Sequence, residues 1–300
     1  MFEAPNRKVI GFKKTEQKIK QELPQDFRDI SEVIEMRIQD ILEQYGIRVS
    51  DTYRIAKEFV VESLDERVAS YHTVSDAISI DAQEYAMLLQ AKSNTQIELQ
   101  PILDFYKSFI HESLHQLSFN RVYKKTNKMH DLSGVDSITN YKNGGEKKHF
   151  SSLNEAITEE LTIEIFGYVR GYIVGVYRPD LNPRDIVKGD QGTYVLDRIA
   201  YFLLTVFDSI VYDGTLKQLL IQAYFGKNRR EYIDRLKILL EEDYVQYQKV
   251  EVANQDQLLP IIQVLHSKIL ENNHNNIEAK LNPTEFKYLQ NISQWLLSQK

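Results

Sequence analysis

PILDFYKSFIHESLHQLSF, residues 101–119, is the stretch on which the fold turns. Its apolar residues Ile102, Leu103, Phe105, Tyr106, Phe109, Ile110, Leu114 and Leu117, eight of the 19 positions, recur at helical spacing. Pro101 suits a first helical position, where its missing N–H costs nothing. The spacing predicts a mostly buried helix. Within it, HESLH (111–115) places three titratable side chains in five positions, which is costly on a buried helix unless something satisfies them.

Residues four apart on a helix lie on one face, so His111 and His115 can aim both imidazoles at one point. Two neutral imidazoles on a rigid helix suit zinc. Glu112 lies about 100° round the helix from His111. It is beside such a metal without binding it, where a general base for a metal-activated water belongs. With seven histidines in the chain, an accidental H-E-x-x-H is on the order of a one-in-a-hundred event.

The chain outside this helix narrows the classes. It has 300 residues, a net charge of −6 and no cysteine. The absence of thiols excludes disulfides and thiolate metal sites, leaving His, Asp and Glu as ligands. The negative balance argues against a general nucleic-acid or membrane-surface binder. No signal-peptide-like stretch opens the sequence, and the longest apolar runs, such as IAYFLLTVF (199–207), are too short to span a bilayer. The expected location is the cytoplasm. No phosphate-cradling or serine-hydrolase motif is present.

Along the chain, residues 1–24 read as a charged lead-in and 25–45 as an amphipathic helix stopped by Gly46. A second helix is expected over 52–64, with Asp51 as its N-cap. RVASYHTVSDAISID (67–81) alternates around a Ser-Asp turn and predicts a hairpin with strands near 67–73 and 77–81. Residues 83–91 read as helix or irregular structure. Residues 120–150 carry seven Lys or Arg against three acids, with KNGG (142–145) as a turn signal. They read as an inserted loop or hairpin region. Helices are expected at about 153–177, 194–212, 214–225, 229–248, 255–272 and 283–299. The expected organisation is therefore a lead-in (1–24), an N-terminal lobe (25–119), an insertion (120–152) and a helical C-terminal lobe (153–300), together one catalytic unit.

A catalytic zinc needs a third protein ligand and an open position. The extended H-E-x-x-H-x-x-G-x-x-H pattern fails, since Ser118 and Arg121 stand at its last two positions. SLNEAITEELT (152–162) instead opens the next strong helix, with Glu155 a possible ligand and Glu159 one turn later on the same face. Glu159 can accept a hydrogen bond from a ligand histidine.

H-E-x-x-H followed by N-E-x-x-x-[D/E] on a second helix resembles the gluzincins, the thermolysin-like branch of the zinc metallopeptidases. The resemblance covers roughly 66–165. It implies His111, His115 and Glu155 as ligands of one Zn2+ per chain, Glu112 as general base, and Asn154 as the asparagine that commonly precedes the glutamate ligand. Glu159 falls where the family carries an aspartate, one methylene shorter, behind the metal. The 39 residues between His115 and Glu155 exceed the gap in thermolysin itself. The implied fold is α+β, predominantly α, and zincin-like: a small N-terminal β-hairpin lobe, the active-site helix and a helical C-terminal lobe.

The implied activity is hydrolysis of a peptide or protein substrate, with neither nucleic acid nor membrane as partner. By analogy, Ala77, Ile78, Ser79 and Ile80 would form the edge strand that pairs with substrate. The family's oxyanion donor is a Tyr or His, for which Tyr194 and His149 are the candidates. Two rival readings stay open. One is a zinc-binding protein without catalysis, the other a metal-free helical interaction protein.

Overall fold

The computed structural model describes residues 24–47, 59–62, 64, 68–72, 77–91, 98–125, 128–141, 146–181, 194–272 and 277–299. The chain is mostly helical with two small sheets, α+β and predominantly α. It divides into two compact units, one of residues 1–122 with 160–190, the other of 123–159 with 191–300. The division departs from the expected lobes at 119/120 and 152/153, because the later part of the long helix at 151–177 belongs with the N-terminal residues.

In the first unit, helix α1 (Gln25–Gln44) buries Phe27, Ile30, Ile34, Ile38, Ile41 and Leu42 on one stripe. Gly46, at φ 67°, follows its C-terminus, a left-handed turn that glycine adopts without a Cβ penalty. Phe27 packs edge-on to Phe105 and Phe109, with ring centroids 5.9 and 4.9 Å away. Both partners lie on α3 (Leu99–Leu117), the helix of HESLH. Pro101 stands in its first turn, two residues after its start, where no intrahelical donor is lost. The Tyr106 and Tyr177 hydroxyls meet at 2.9 Å in the interior.

A three-stranded sheet accompanies α3. Its strands are β1 (Phe59–Glu62), β2 (Ala69–His72) and β3 (Ala77–Asp81), in the order β1-β3-β2. The predicted hairpin is β2–β3, antiparallel with Tyr71 opposite Ile78. Two expectations fail. Phe59–Glu62 is a strand rather than the end of a helix: FVV is rich in β-formers, and it pairs in parallel with β3, Phe59 opposite Ile78. Residues 52–58 of that expected helix lie outside the described residues. The second failure is the edge strand. Ala77, Ile78, Ser79 and Ile80 form the central strand, hydrogen-bonded to β1 on one side and β2 on the other. All four are buried, so the run reads as a fully covered strand. Helix α2 (Ala82–Ala91) follows directly.

In the second unit, the segment expected to be an inserted loop or hairpin is a four-stranded sheet, β4 (Asn120–Lys125), β5 (Lys128–Ser133), β6 (Asp136–Tyr141) and β7 (Glu146–His149), in sequence order. β5–β6 and β6–β7 are antiparallel. The KNGG turn lies outside the described residues. Helix α4 (Ser151–Tyr177) begins two residues after β7. Helices α5 (Val195–Val211), α6 (Leu216–Tyr224), α7 (Arg229–Leu240), the short α8 (Tyr244–Gln248), α9 (Leu258–Glu271), the one-turn α10 (Ile277–Lys280) and α11 (Pro283–Ser298) complete it. The expected helix 229–248 is broken at Glu241, whose φ is 52°. The acidic run there forms a 3-10 turn. Asp208 is fully buried on α5 and compensated twice, by Arg235 at 2.5 Å and by the Leu216 amide at 2.9 Å. Among the described residues no helix is long and apolar enough to cross a membrane.

Candidate metal centre

Helix α3 presents His111 and His115 one turn apart, as the four-residue spacing requires. Their Nε2 atoms stand 3.1 Å apart and their rings are steeply inclined, 73° between planes. His111 is buried and His115 partly so. Glu155, in the second turn of α4, supplies the third donor. One ligand atom from each of His111, His115 and Glu155 lies within 4.8 Å of the others. Tetrahedral Zn–N bonds of roughly 2.0–2.1 Å place ligand atoms about 3.3 Å apart, so the imidazole pair already has that spacing. Two neutral imidazoles and one carboxylate, an N,N,O set with a single negative charge, suit a borderline divalent ion such as zinc. Among the described residues, this is the only such group of three or more His, Cys, Asp or Glu.

Glu112 points toward the small sheet. The Tyr71 N–H of β2 donates to its Oε2 at 2.7 Å. That amide faces away from β3, so the edge of the hairpin addresses the carboxylate beside the histidine pair. Sequence reasoning missed this contact because the donor is a backbone group 41 residues away and leaves no side-chain signature.

Asn154 has a definite task. Its Oδ1 accepts the Val135 N–H at 3.0 Å, which ties the β5–β6 turn to the start of α4. Gly134, in that turn, has φ 56°, and a Cβ there would collide with Asn154 Oδ1 and meet the Tyr224 ring at 2.7 Å. Arg229 donates to the Gly134 carbonyl from α7. One turn beyond Asn154, the Thr158 and Tyr224 hydroxyls meet at 2.9 Å. Glu155 is therefore flanked by two residues bonded into the second unit. Glu159 is buried one turn after Glu155 on the same helix.

Two acids unremarked in the sequence share the environment of Glu155. Asp136, at the start of β6, is raised to about 7, chiefly by burial and further by the Glu155 charge, against the Ser137 amide and Lys148. Asp197, in the first turn of α5, is raised to about 6, again by burial first, although the Ser152 hydroxyl donates to it. Neither stands in a motif. Only the fold buries them.

The two candidate oxyanion donors are not part of the three-donor group. Tyr194 is the residue before α5, held at φ 64° in the left-handed region, with its carbonyl accepting the Arg198 amide. His149 ends β7, and its pKa is lowered by burial and by Lys147 and Lys249.

No protein-family model, curated protein or solved structure matches the chain.

Proposed function

We propose that this chain is a zinc-dependent metallopeptidase of the gluzincin type, with His111, His115 and Glu155 holding the metal and Glu112 acting as general base. The convergence of Glu155 on the histidine pair carries the reading. The motif alone fixes two ligands on one helix, and a third donor 40 positions after His115 comes within 4.8 Å of both. The group has three protein donors among the described residues, which leaves a coordination position for water and substrate, as catalytic zinc sites do.

Zinc in this site would supply a Lewis acid and a water whose pKa falls to about 7. Glu112 takes the proton of the attacking water and returns it to the leaving amine. The Tyr71 amide holds one carboxylate oxygen in place, leaving the other for that proton. β2, an outer strand of its sheet, takes over the substrate-pairing role first expected of Ala77–Ile80. An extended peptide would pair with the outward-facing groups of β2 other than the Tyr71 amide, next to the base.

The test is metal content and peptide hydrolysis of the wild type beside Glu155→Ala, His115→Ala and Glu112→Gln. About one zinc per chain in wild type and Glu112→Gln, with loss in the other two, and cleavage by the wild type alone, is the expected result. A metal-loaded Glu112→Gln chain that cleaves at the wild-type rate would falsify the mechanism. A metal-loaded wild type inert across a broad peptide library would favour the non-catalytic zinc protein.

A further inference from the structure

The second sheet divides the charges of its strands by face. Strand registers place Lys128 opposite Tyr141, His130 opposite Thr139, and Thr139 opposite Lys147, with His149 next on β7. Side chains alternate along a strand, so these six share one face. On β5, β6 and β7 its other residues are Leu132 and Ser137, and neither these nor the residues of β4 include an Asp or Glu. Asp131, Asp136 and Glu146 all belong to the opposite face, where Glu146 pairs with Lys148 at 3.2 Å.

The cations of the acid-free face are uncompensated. Lys128 and Lys147 are exposed, and among the described residues no carboxylate lies within ion-pair distance of either. Lys128 rests over the Tyr141 ring, 4.6 Å from its centroid. The Phe150 amide donates to the Gln248 carbonyl at 2.8 Å, which brings Lys249 to the end of the same face. His149 feels both Lys147 and Lys249, and among the described residues its buried Nδ1 has no hydrogen-bond partner. A protein with a net charge of −6 thus keeps one face of one sheet cationic, and that face ends six residues before Glu155.

We infer that the face formed by Lys128, Tyr141, Lys147 and His149 docks an acidic segment of the peptide substrate. Carboxylates there replace water around cations that have no carboxylate partner among the described residues, and mixed Lys, imidazole and hydroxyl donors match them. A nucleic acid is a poorer fit, because a long polyanion meets the negative field of the remaining surface. The inference rests on the peptidase reading for the nature of the occupant, but its test does not require hydrolysis.

The probe is a fluorescent peptide alternating Glu and Ala, titrated by anisotropy into the full chain carrying Glu112→Gln, beside a Lys–Ala peptide and a single-stranded oligonucleotide. The acidic peptide alone is expected to bind, more weakly as salt rises. Lys128→Glu with Lys147→Glu should weaken it by about tenfold or more, whereas Lys148→Glu on the opposite face should change it less than about twofold. Lys128→Gln with Lys147→Gln, a milder pair, should fall between, and thermal melting checks that each variant folds. No binding of the acidic peptide, equal loss in the Lys148 variant, or tighter binding of the oligonucleotide overturns the inference. Binding without any cleavage by the metal-loaded wild type sinks the peptidase reading and leaves the docking face standing. Cleavage of neutral and acidic peptides alike, with no binding preference, does the reverse.

Discussion

The Tyr71 N–H donates to Glu112 Oε2 across 2.7 Å, so an outer strand of the small sheet and the proposed general base are coupled by one backbone hydrogen bond. The donor can be removed without touching the base. A proline is tolerated on an edge strand where its N–H points out of the ladder. Tyr71→Pro deletes the amide, and Tyr71→Ala deletes only the ring. A hydrogen bond to a charged group is worth about 1.5–3 kcal/mol. Tyr71→Pro should therefore lower kcat on a peptide by roughly ten- to a hundredfold more than Tyr71→Ala does, with bound zinc unchanged in both. Equal activities would show the contact to be incidental.

Removing a ligand and removing the base should separate cleanly. Glu112→Gln keeps shape and hydrogen bonding but cannot accept a proton. It should hold zinc like the wild type and lose on the order of 10²–10⁴ in kcat. Glu155→Ala leaves two imidazoles, too few for a stable site, and should lose metal and activity together. Dialysed samples measured for zinc by atomic absorption, with activity on the same aliquots, decide it. Zinc retained in Glu155→Ala would move the third ligand elsewhere.

How far the sequence anticipates this arrangement depends on the kind of information each part needs. HESLH and the helix around it are local: period, burial and spacing lie in consecutive residues, and α3 follows them closely. Glu155 stands in LNEA, a second local pattern, and the fold brings it to the histidine pair. AISID and ASYH are both short alternating runs, and which one is central depends on β1, which returns in parallel from a stretch that reads as helix, so the sequence does not show that AISID is the inner strand. Asp136 and Asp197 carry no local mark, since their burial is a property of the packed sheet and helices.

The Gly134 turn shows how such nonlocal packing bears on the site. Gly134 is held at φ 56° with no room for a Cβ, pressed between Asn154 and Tyr224. Gly134→Ala pays backbone strain and pushes Asn154 away from the Val135 amide, a destabilisation on the order of 2–3 kcal/mol. Asn154 precedes Glu155, so the disturbance reaches the ligand. Zinc affinity should fall by about ten- to a hundredfold, the range seen when groups behind a metal ligand are lost. Chelator competition on samples shown folded by melting would check this. Unchanged affinity in a destabilised protein would confine the turn to a structural role.

Burial of Asp136 makes a prediction about pH. Burial raises its carboxyl to about 7 in the folded chain, against 3.8 for an unburied aspartate. Between those values the folded state holds a proton that the unfolded state has released, so stability falls as pH rises. The contribution is complete below the unfolded value and lost as pH climbs through about 7. Asp197, near 6, adds a second component of the same sign that fades earlier. The metal-free chain should therefore unfold at lower urea at pH 8 than at pH 5. Asp136→Asn, neutral throughout, should flatten the slope and be the more stable protein at pH 8. Zinc on Glu155 offsets one of the negative charges that raise both acids, so the loaded chain should show a shallower slope than the free one. Urea midpoints at pH 5, 6, 7 and 8, with and without zinc, test each part, and a midpoint that rises steadily with pH in the metal-free wild type would contradict the buried, protonated state of Asp136.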